Sequence, residues 1–289
     1  MKKILGTGVA LALLTGAAFA ADMPVKAPIL KAAPAPLWDI AIGGSIASDY
    51  NFRGISQSDR GVSPAAYFEA QYNWSLGQTY IGIGALGVDF ASAFGFSDPA
   101  SEVDLYLGWR KTWGQFSLDI GYIYYWYPKE LFNTDWAEVY IKAAYAITPN
   151  FTLGGALFYT PDLLNFSLFT GGNDVSATYY EINAKWVTPW TYNGIGSFIS
   201  GAVGINDIER NAIIHAVDPS YVYYNAGIAF TYKALTLDLR YHGTDMNSAE
   251  CFAALGSPAS GIAGRPAQKY CDDTFIAKLS FDTLLSNIK

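Results

Sequence analysis

Twelve ionisable side chains stand on the polar sides or ends of short segments whose other sides are apolar. They are Arg53, Glu69, Glu102, Asp104, Arg110, Asp119, Glu138, Lys142, Glu181, Lys185, Asp238 and Arg240. Two chemistries are open to such interleaved charges. Opposite charges facing one another on adjacent strands brace a wall. The same groups around a water-filled lumen make a polar pore, with mild cation preference because acids, counting Asp89, outnumber bases, counting Lys278. Other chemistry is thinly represented. His215 and His242 are the only histidines, and neither lies at ligand spacing, so no metal or cofactor is expected. A hydrolase needs a serine paired with one of them, and no Gly-x-Ser-x-Gly context exists. The glycines from Gly82 to Gly87 fall within a strand segment, where glycine marks a bend rather than a phosphate loop.

The ends of the chain place these groups in a compartment. Lys2 and Lys3 precede an uncharged run from Ile4 to Phe19, which closes on Ala18-Phe19-Ala20, the small-x-small pattern of a cleaved signal peptide. The run is too short for a membrane-spanning helix, and no basic stop-transfer flank follows. Residues 1–20 are therefore read as a signal peptide. Residues 21–37, with Pro24, Pro28, Pro34 and Pro36, are read as an extended periplasmic leader. Loss of Lys2 and Lys3 lowers the formal charge from −7 to −9, which argues against nucleic acid as a partner. In an exported chain, the even pair Cys251 and Cys271 reads as one disulfide. Closing that loop of some twenty residues is worth roughly 3 kcal/mol in the loop-entropy account.

From Trp38 to Lys289 the chain alternates with a period of two. Six segments are clean. Val103, Leu105, Leu107 and Trp109 oppose Glu102, Asp104 and Arg110. Phe116, Leu118, Ile120, Tyr122, Tyr124 and Trp126 oppose Ser117 and Asp119. The segments starting at Ala137, Tyr180, Leu235 and Phe275 behave in the same way. Six weaker segments fill the gaps: Trp38 to Tyr50, Pro64 to Trp74, Tyr80 to Phe90, Phe151 to Tyr159, Ile195 to Ile205 and Tyr221 to Tyr232. The connections alternate between short and long, which suits tight periplasmic turns and long outer loops. Aromatics make up 16% of the chain and charged residues only 15%, and mean hydropathy is +0.15. A lipid-facing barrel explains this by placing apolar side chains on alternate positions. Trp109, Trp113, Tyr122, Tyr124, Trp126, Trp136, Trp186 and Tyr241 would form aromatic girdles at its rims. The expected fold is all-β: a transmembrane, antiparallel, up-and-down barrel of about twelve strands over residues 38–289, with outer-membrane lipid as its surroundings.

Two stretches resemble known proteins. Ala21-Asp22-Met23-Pro24-Val25-Lys26-Ala27-Pro28 is similar to the leader of many alphaproteobacterial outer-membrane proteins. Ser48-Asp49-Tyr50-Asn51-Phe52-Arg53-Gly54-Ile55-Ser56-Gln57-Ser58-Asp59, with Pro64-Ala65 downstream, resembles the S-D-Y-x-F-R-G-x-S-Q-S signature of the TorF-type porins, a family once of unknown function. The resemblance implies an outer-membrane barrel and a porin role without a defined solute. Within the motif, the Arg53 guanidinium has two readings. It pairs a lumen carboxylate such as Glu69 or Glu102 and fixes a constricting loop, or it belongs to a turn in which Gly54 supplies positive φ and Ser56 or Ser58 bonds backbone. The chain departs from many such barrels by ending Ser286-Asn287-Ile288-Lys289, beyond its last aromatic, Phe281. The functional expectation is passive diffusion of small polar solutes through a porin-like channel. The alternative is a non-conducting structural or adhesive barrel acting through the loops 163–174 and 247–273.

Overall fold

A computed structural model describes residues 36–90, 99, 101–130, 133–210, 218–247, 249–251 and 270–288. The expected signal peptide, most of the leader and His215 lie outside them. The strands are β1 (Trp38–Ala47), β2 (Asn51–Phe52), β3 (Ile55–Ser56), β4 (Ser63–Trp74), β5 (Gly77–Leu86), β6 (Glu102–Trp113) and β7 (Phe116–Trp126). They continue with β8 (Trp136–Thr148), β9 (Phe151–Thr160), β10 (Ala177–Val187), β11 (Gly196–Ile208), β12 (Tyr221–Tyr232), β13 (Leu235–Thr244) and β14 (Thr274–Leu284). β1 and β4 to β14 close into one antiparallel barrel in chain order, sealed where Ala41–Ala47 of β1 pairs with Leu284–Lys278 of β14. Closure satisfies the backbone between neighbours and leaves no open edge, the condition for crossing hydrocarbon with strands. Twelve barrel strands match the twelve alternating segments.

The boundaries differ from the sequence pattern where glycine or small residues blur the period. The segment expected to reach Phe90 ends at Leu86, so Asp89 lies outside the strands and is exposed. Its phase is settled by Tyr80, which is buried, while Ile81 and Ile83 face outward. In β11, Phe198 and Ala202 point in, and Ile199, Val203 and Ile205 point out. β8, β10 and β13 are longer than their cleanest patterns, because pairing with both neighbours carries a strand past the residues that advertise it.

The outer face is apolar around the waist. Ile182 is 68% exposed, Ile81 63% and Val203 56%, values a water-facing sheet would not carry in rows but a lipid-facing one requires. At one end of the barrel the turns are short: Gly114-Gln115 joins β6 to β7, with Gly114 at φ 60°, and Lys233-Ala234 joins β12 to β13. The connection 188–195 is longer. At the other end lie the long loops, including 48–62, 161–176 and the described parts of the connection between β13 and β14, 245–247, 249–251 and 270–273. Past β14, a 3-10 turn at Leu285–Asn287 returns to the start of the barrel, where Asp39 accepts bonds from the Ser286 hydroxyl (2.6 Å) and backbone N–H (3.2 Å). The non-aromatic tail thus caps the β1–β14 seam. The expected disulfide is formed: Cys251 and Cys271 lie 6.0 Å apart at Cα and are buried at the long-loop end.

The inner face holds an unusual pairing of tyrosine with glycine. A Cβ on Gly82 would fall 2.2 Å from the Tyr106 ring, on Gly108 2.3 Å from the Tyr80 hydroxyl, and on Gly121 2.5 Å from the Tyr140 ring. In each case the two residues are direct cross-strand partners. Glycine opposite an inward tyrosine lets the large ring lie flat against the wall, which fits a narrow, curved lumen.

Candidate functional site: the ionisable interior and its Arg53 finger

Eleven of the twelve sequence-selected residues lie on barrel strands, and their alternation parity turns them inward; Lys185 is half-buried and the others are buried. The register sets several directly opposite one another. Arg110 of β6 faces Asp119 of β7, which faces Lys142 of β8, and Asp238 of β13 faces Lys278 of β14. A belt of alternating charge therefore runs across adjacent strands.

Each group has specific partners. Arg110 Nη2 donates to Glu69 at 2.6 Å and its Nε to Gln78 at 2.5 Å, with the guanidinium over the Tyr80 ring. Asp119 accepts from the Tyr80 hydroxyl at 2.5 Å, and Tyr80 in turn meets Tyr140 at 2.7 Å. Arg240 holds Asp238 through two nitrogens at 2.8 and 3.1 Å, and also reaches Asn225 and Ser200. Glu181 accepts from Tyr179 and Asn183. Lys142 sits 4.4 Å from the Tyr140 ring centre and Lys185 3.7 Å from that of Phe198. Glu102 accepts from Tyr50 at 2.5 Å and Tyr127 at 2.8 Å. Asp104 is buried, and its Oδ1 has no hydrogen-bond partner among the described residues.

Arg53 is the twelfth residue, and it is not on the wall. The loop after β1 folds inward as the small β2–β3 hairpin, pairing Asn51 with Ser56 and Phe52 with Ile55. At its tip Arg53 has φ 49° and Gly54 φ 92°. Both readings of the motif therefore hold: the turn needs positive φ, and the guanidinium pairs a carboxylate. The partner differs from the expectation. It is neither Glu69 nor Glu102 but Glu138, through Nη1–Oε1 at 2.9 Å and Nη2–Oε2 at 2.8 Å. Glu138 belongs to β8, on the far side of the barrel from β1, so the hairpin crosses the lumen rather than lining the wall beside it. The serines of the motif brace its base. Ser56 and Ser58 hydroxyls donate to Asp49 at 2.6 and 2.9 Å, and Ser58 Oγ accepts the Tyr50 backbone N–H at 2.8 Å. Gly54 N–H donates to Asn51 Oδ1 at 2.9 Å.

The guanidinium is enclosed. Its carbon lies 4.3 Å from the Tyr179 ring centre, 4.6 Å from Phe52 and 4.9 Å from Phe158. Tyr125 donates to Glu138 Oε2 at 2.9 Å and stacks on Trp136 with ring centres 4.4 Å apart. Trp136, expected in a rim girdle, is thus an inward residue supporting the finger's dock. Burial is the largest influence and opposes the charge on Arg53, but the Glu138 charge and hydrogen bonds, together with Tyr125 and Tyr179, outweigh it, so the guanidinium is held in its charged form more firmly than in water. Burial, and then the charge of Glu102, push the Tyr50 hydroxyl up, which keeps it a donor.

Sequence reasoning missed the tyrosines. Tyr80, Tyr106, Tyr125, Tyr140, Tyr179, Tyr221 and Tyr223 all face inward and are buried. Parity could have found several of them, since Tyr106 follows Asp104 by two residues and Tyr140 lies between Glu138 and Lys142. The other candidate of the sequence, His242, bonds the Tyr223 hydroxyl through Nδ1 at 2.9 Å and stacks on its ring.

These features define a class: a closed, lipid-facing β-barrel with an ionisable interior crossed by its own first long loop. By sequence, the chain belongs to the Gcw_chp family, described as a bacterial protein of unknown function, whose model matches residues 31–263. Comparison with curated proteins finds no match. Among solved structures the chain is similar to the NanC porin (9% identity, TM-score 0.45, 84% of this chain and 98% of that one). It is also similar to the KdgM porin (7%, 0.44, 83% and 98%) and to Pseudomonas putida OprB (9%, 0.41, 86% and 94%).

Proposed function

We propose that this chain is an exported outer-membrane channel of the TorF type, which passes small polar solutes and has mild cation preference. On this reading residues 1–20 are the signal peptide and 21–37 a periplasmic leader. The short turns face the periplasm and the long loops the exterior. The observation that carries it is the inner wall. Ionisable and hydroxyl groups line it at every level, from Glu102 near the long-loop end to Asp39 near the other. A barrel needing only a filled core would satisfy that space with apolar side chains, because burying charges costs free energy. Arg53, Glu69, Glu102, Asp104, Arg110, Asp119, Glu138, Lys142, Glu181, Lys185, Asp238 and Arg240 are the proposed pore-lining set, with Arg53 as a movable constriction. Acids outnumber bases among these and Asp39, which supports the cation preference.

The test is planar-bilayer conductance of the refolded chain in a potassium chloride gradient. Wild type is expected to open rarely, Arg53→Ala more often, with reversal potentials shifted toward potassium. Absence of current from both refutes the reading. A second reading, a non-conducting barrel acting through its outer loops, is favoured by how thoroughly the interior is packed, with Glu69 and Glu138 each only 1% exposed. Silence of both proteins in the bilayer would support it.

A further inference from the structure

The dock that receives Arg53 has the composition of a ligand site rather than of an ordinary wall. It presents one carboxylate with both oxygens aligned, and two wall aromatics, Phe158 and Tyr179, within cation–π range. Phe52 comes from the finger itself and completes the enclosure. Tyr125 fixes the carboxylate from behind. Four barrel strands, β7 to β10, each supply one residue. Two are packed in place by further inward rings, Phe158 by Tyr140 at 5.3 Å and Tyr125 by the stacked Trp136, and Phe158 in turn lies 6.1 Å from Tyr179.

The occupant, by contrast, is held imperfectly. Arg53 adopts φ 49°, a conformation that costs a side-chain-bearing residue free energy. Its Nε is buried without a hydrogen-bond partner among the described residues. The finger belongs to a hairpin of two residue pairs, which packing and not its own ladder must hold. A well-built receptor filled by a strained, incompletely bonded guanidinium is the arrangement of a tethered competitor.

We infer that Glu138, Phe158 and Tyr179, positioned by Tyr125, form a recognition site for guanidinium-bearing solutes, which Arg53 occupies in place of the ligand. The planar fork explains the preference over a simple ammonium ion, since both Glu138 oxygens are engaged at 2.8–2.9 Å by the two terminal nitrogens. The inference deepens the channel reading and rests on it for its use, because it names the solute class that the lumen would select. Binding itself does not require conduction.

The test uses the refolded full chain in detergent, at constant ionic strength, with guanidinium chloride as the probe and urea as its neutral, similarly shaped control. Calorimetry and tryptophan fluorescence read binding, Trp136 being the reporter beside the dock. Arg53→Ala is expected to bind guanidinium saturably. Adding Glu138→Gln should weaken that binding about tenfold or more, because the charge-assisted pair is lost. Urea should give no saturable signal. If Arg53→Ala lacks the heat-modifiable band of a folded barrel, Arg53→Gly, which suits the positive φ, replaces it. In wild type, guanidinium must compete with the finger, so it should raise trypsin cleavage after Arg53 saturably where urea does not. The inference is overturned by folded variants that show no saturable binding, by equal responses to urea, or by wild type binding as tightly as Arg53→Ala. It is likewise overturned if no variant folds and wild-type cleavage is unmoved. Binding without current in bilayers would refute the channel reading and leave the site standing.

Discussion

Replacing Glu138 by Gln should release the hairpin without dismantling the barrel. In the native dock, the carboxylate accepts two bonds from Arg53 at 2.8 and 2.9 Å and one from Tyr125 at 2.9 Å. Glutamine keeps the volume and one oxygen. It loses the charge, and it turns an amide NH2 toward either the guanidinium or the tyrosine hydroxyl. A hydrogen bond to a charged group contributes about 1.5–3 kcal/mol, and leaving a buried charge uncompensated costs about 3–5 kcal/mol. The finger escapes the larger penalty by leaving, so the loss falls on the docking equilibrium, at about 2–3 kcal/mol. At tenfold for every 1.4 kcal/mol, the undocked population rises about 30- to 140-fold. Trypsin after Arg53 is the assay, since this residue is only 4% exposed when docked. Cleavage resolved by mass spectrometry follows the open population when reclosing outpaces proteolysis. A rise below about threefold, with bilayer open times unchanged, would show that Glu138 does not hold the hairpin and would refute the reasoning.

Three further outcomes follow from the barrel. Ile182→Arg places a charge mid-strand on the lipid face and should cost about 2–4 kcal/mol, seen as a lower folded yield in vesicles, whereas Asn183→Arg on the inner face should fold at near-normal yield. Gly108→Ala must displace the Tyr80 hydroxyl from Asp119, and a cost of about 1–3 kcal/mol is expected from denaturant unfolding in micelles. A Cys251→Ser, Cys271→Ser pair should leave the heat-modifiable barrel band in place but lower its midpoint; loop closure over a separation of 20 residues is worth about 3 kcal/mol.

The barrel was legible because its cause is local. A sheet that meets lipid on one side and a polar interior on the other must alternate with a period of two, and that pattern is written in each strand separately. Glu102, Asp104, Asp119, Glu138 and Lys142 could be assigned to the inner face from parity alone, and the pairing of the two cysteines from their even number in an exported chain. Strand ends were less legible: at Leu86 because Gly87 sits equally well on either face, and at Ile208 because two adjacent polar residues, Asn206 and Asp207, hide the alternation.

Tertiary structure alone decided who meets whom across the lumen. Arg53 could be seen to need a carboxylate, and the local candidates were Glu69 and Glu102. Its partner is set by how far a hairpin from β1 reaches when eleven other strands curve round to face it, which brings Glu138, 85 residues away, within 2.8 Å. Trp136 likewise turned inward against the expectation of a rim girdle, because it is the stacking partner of Tyr125 behind that same carboxylate. Alternation specifies the side of the sheet on which a residue lies; only closure of the sheet determines what lies opposite.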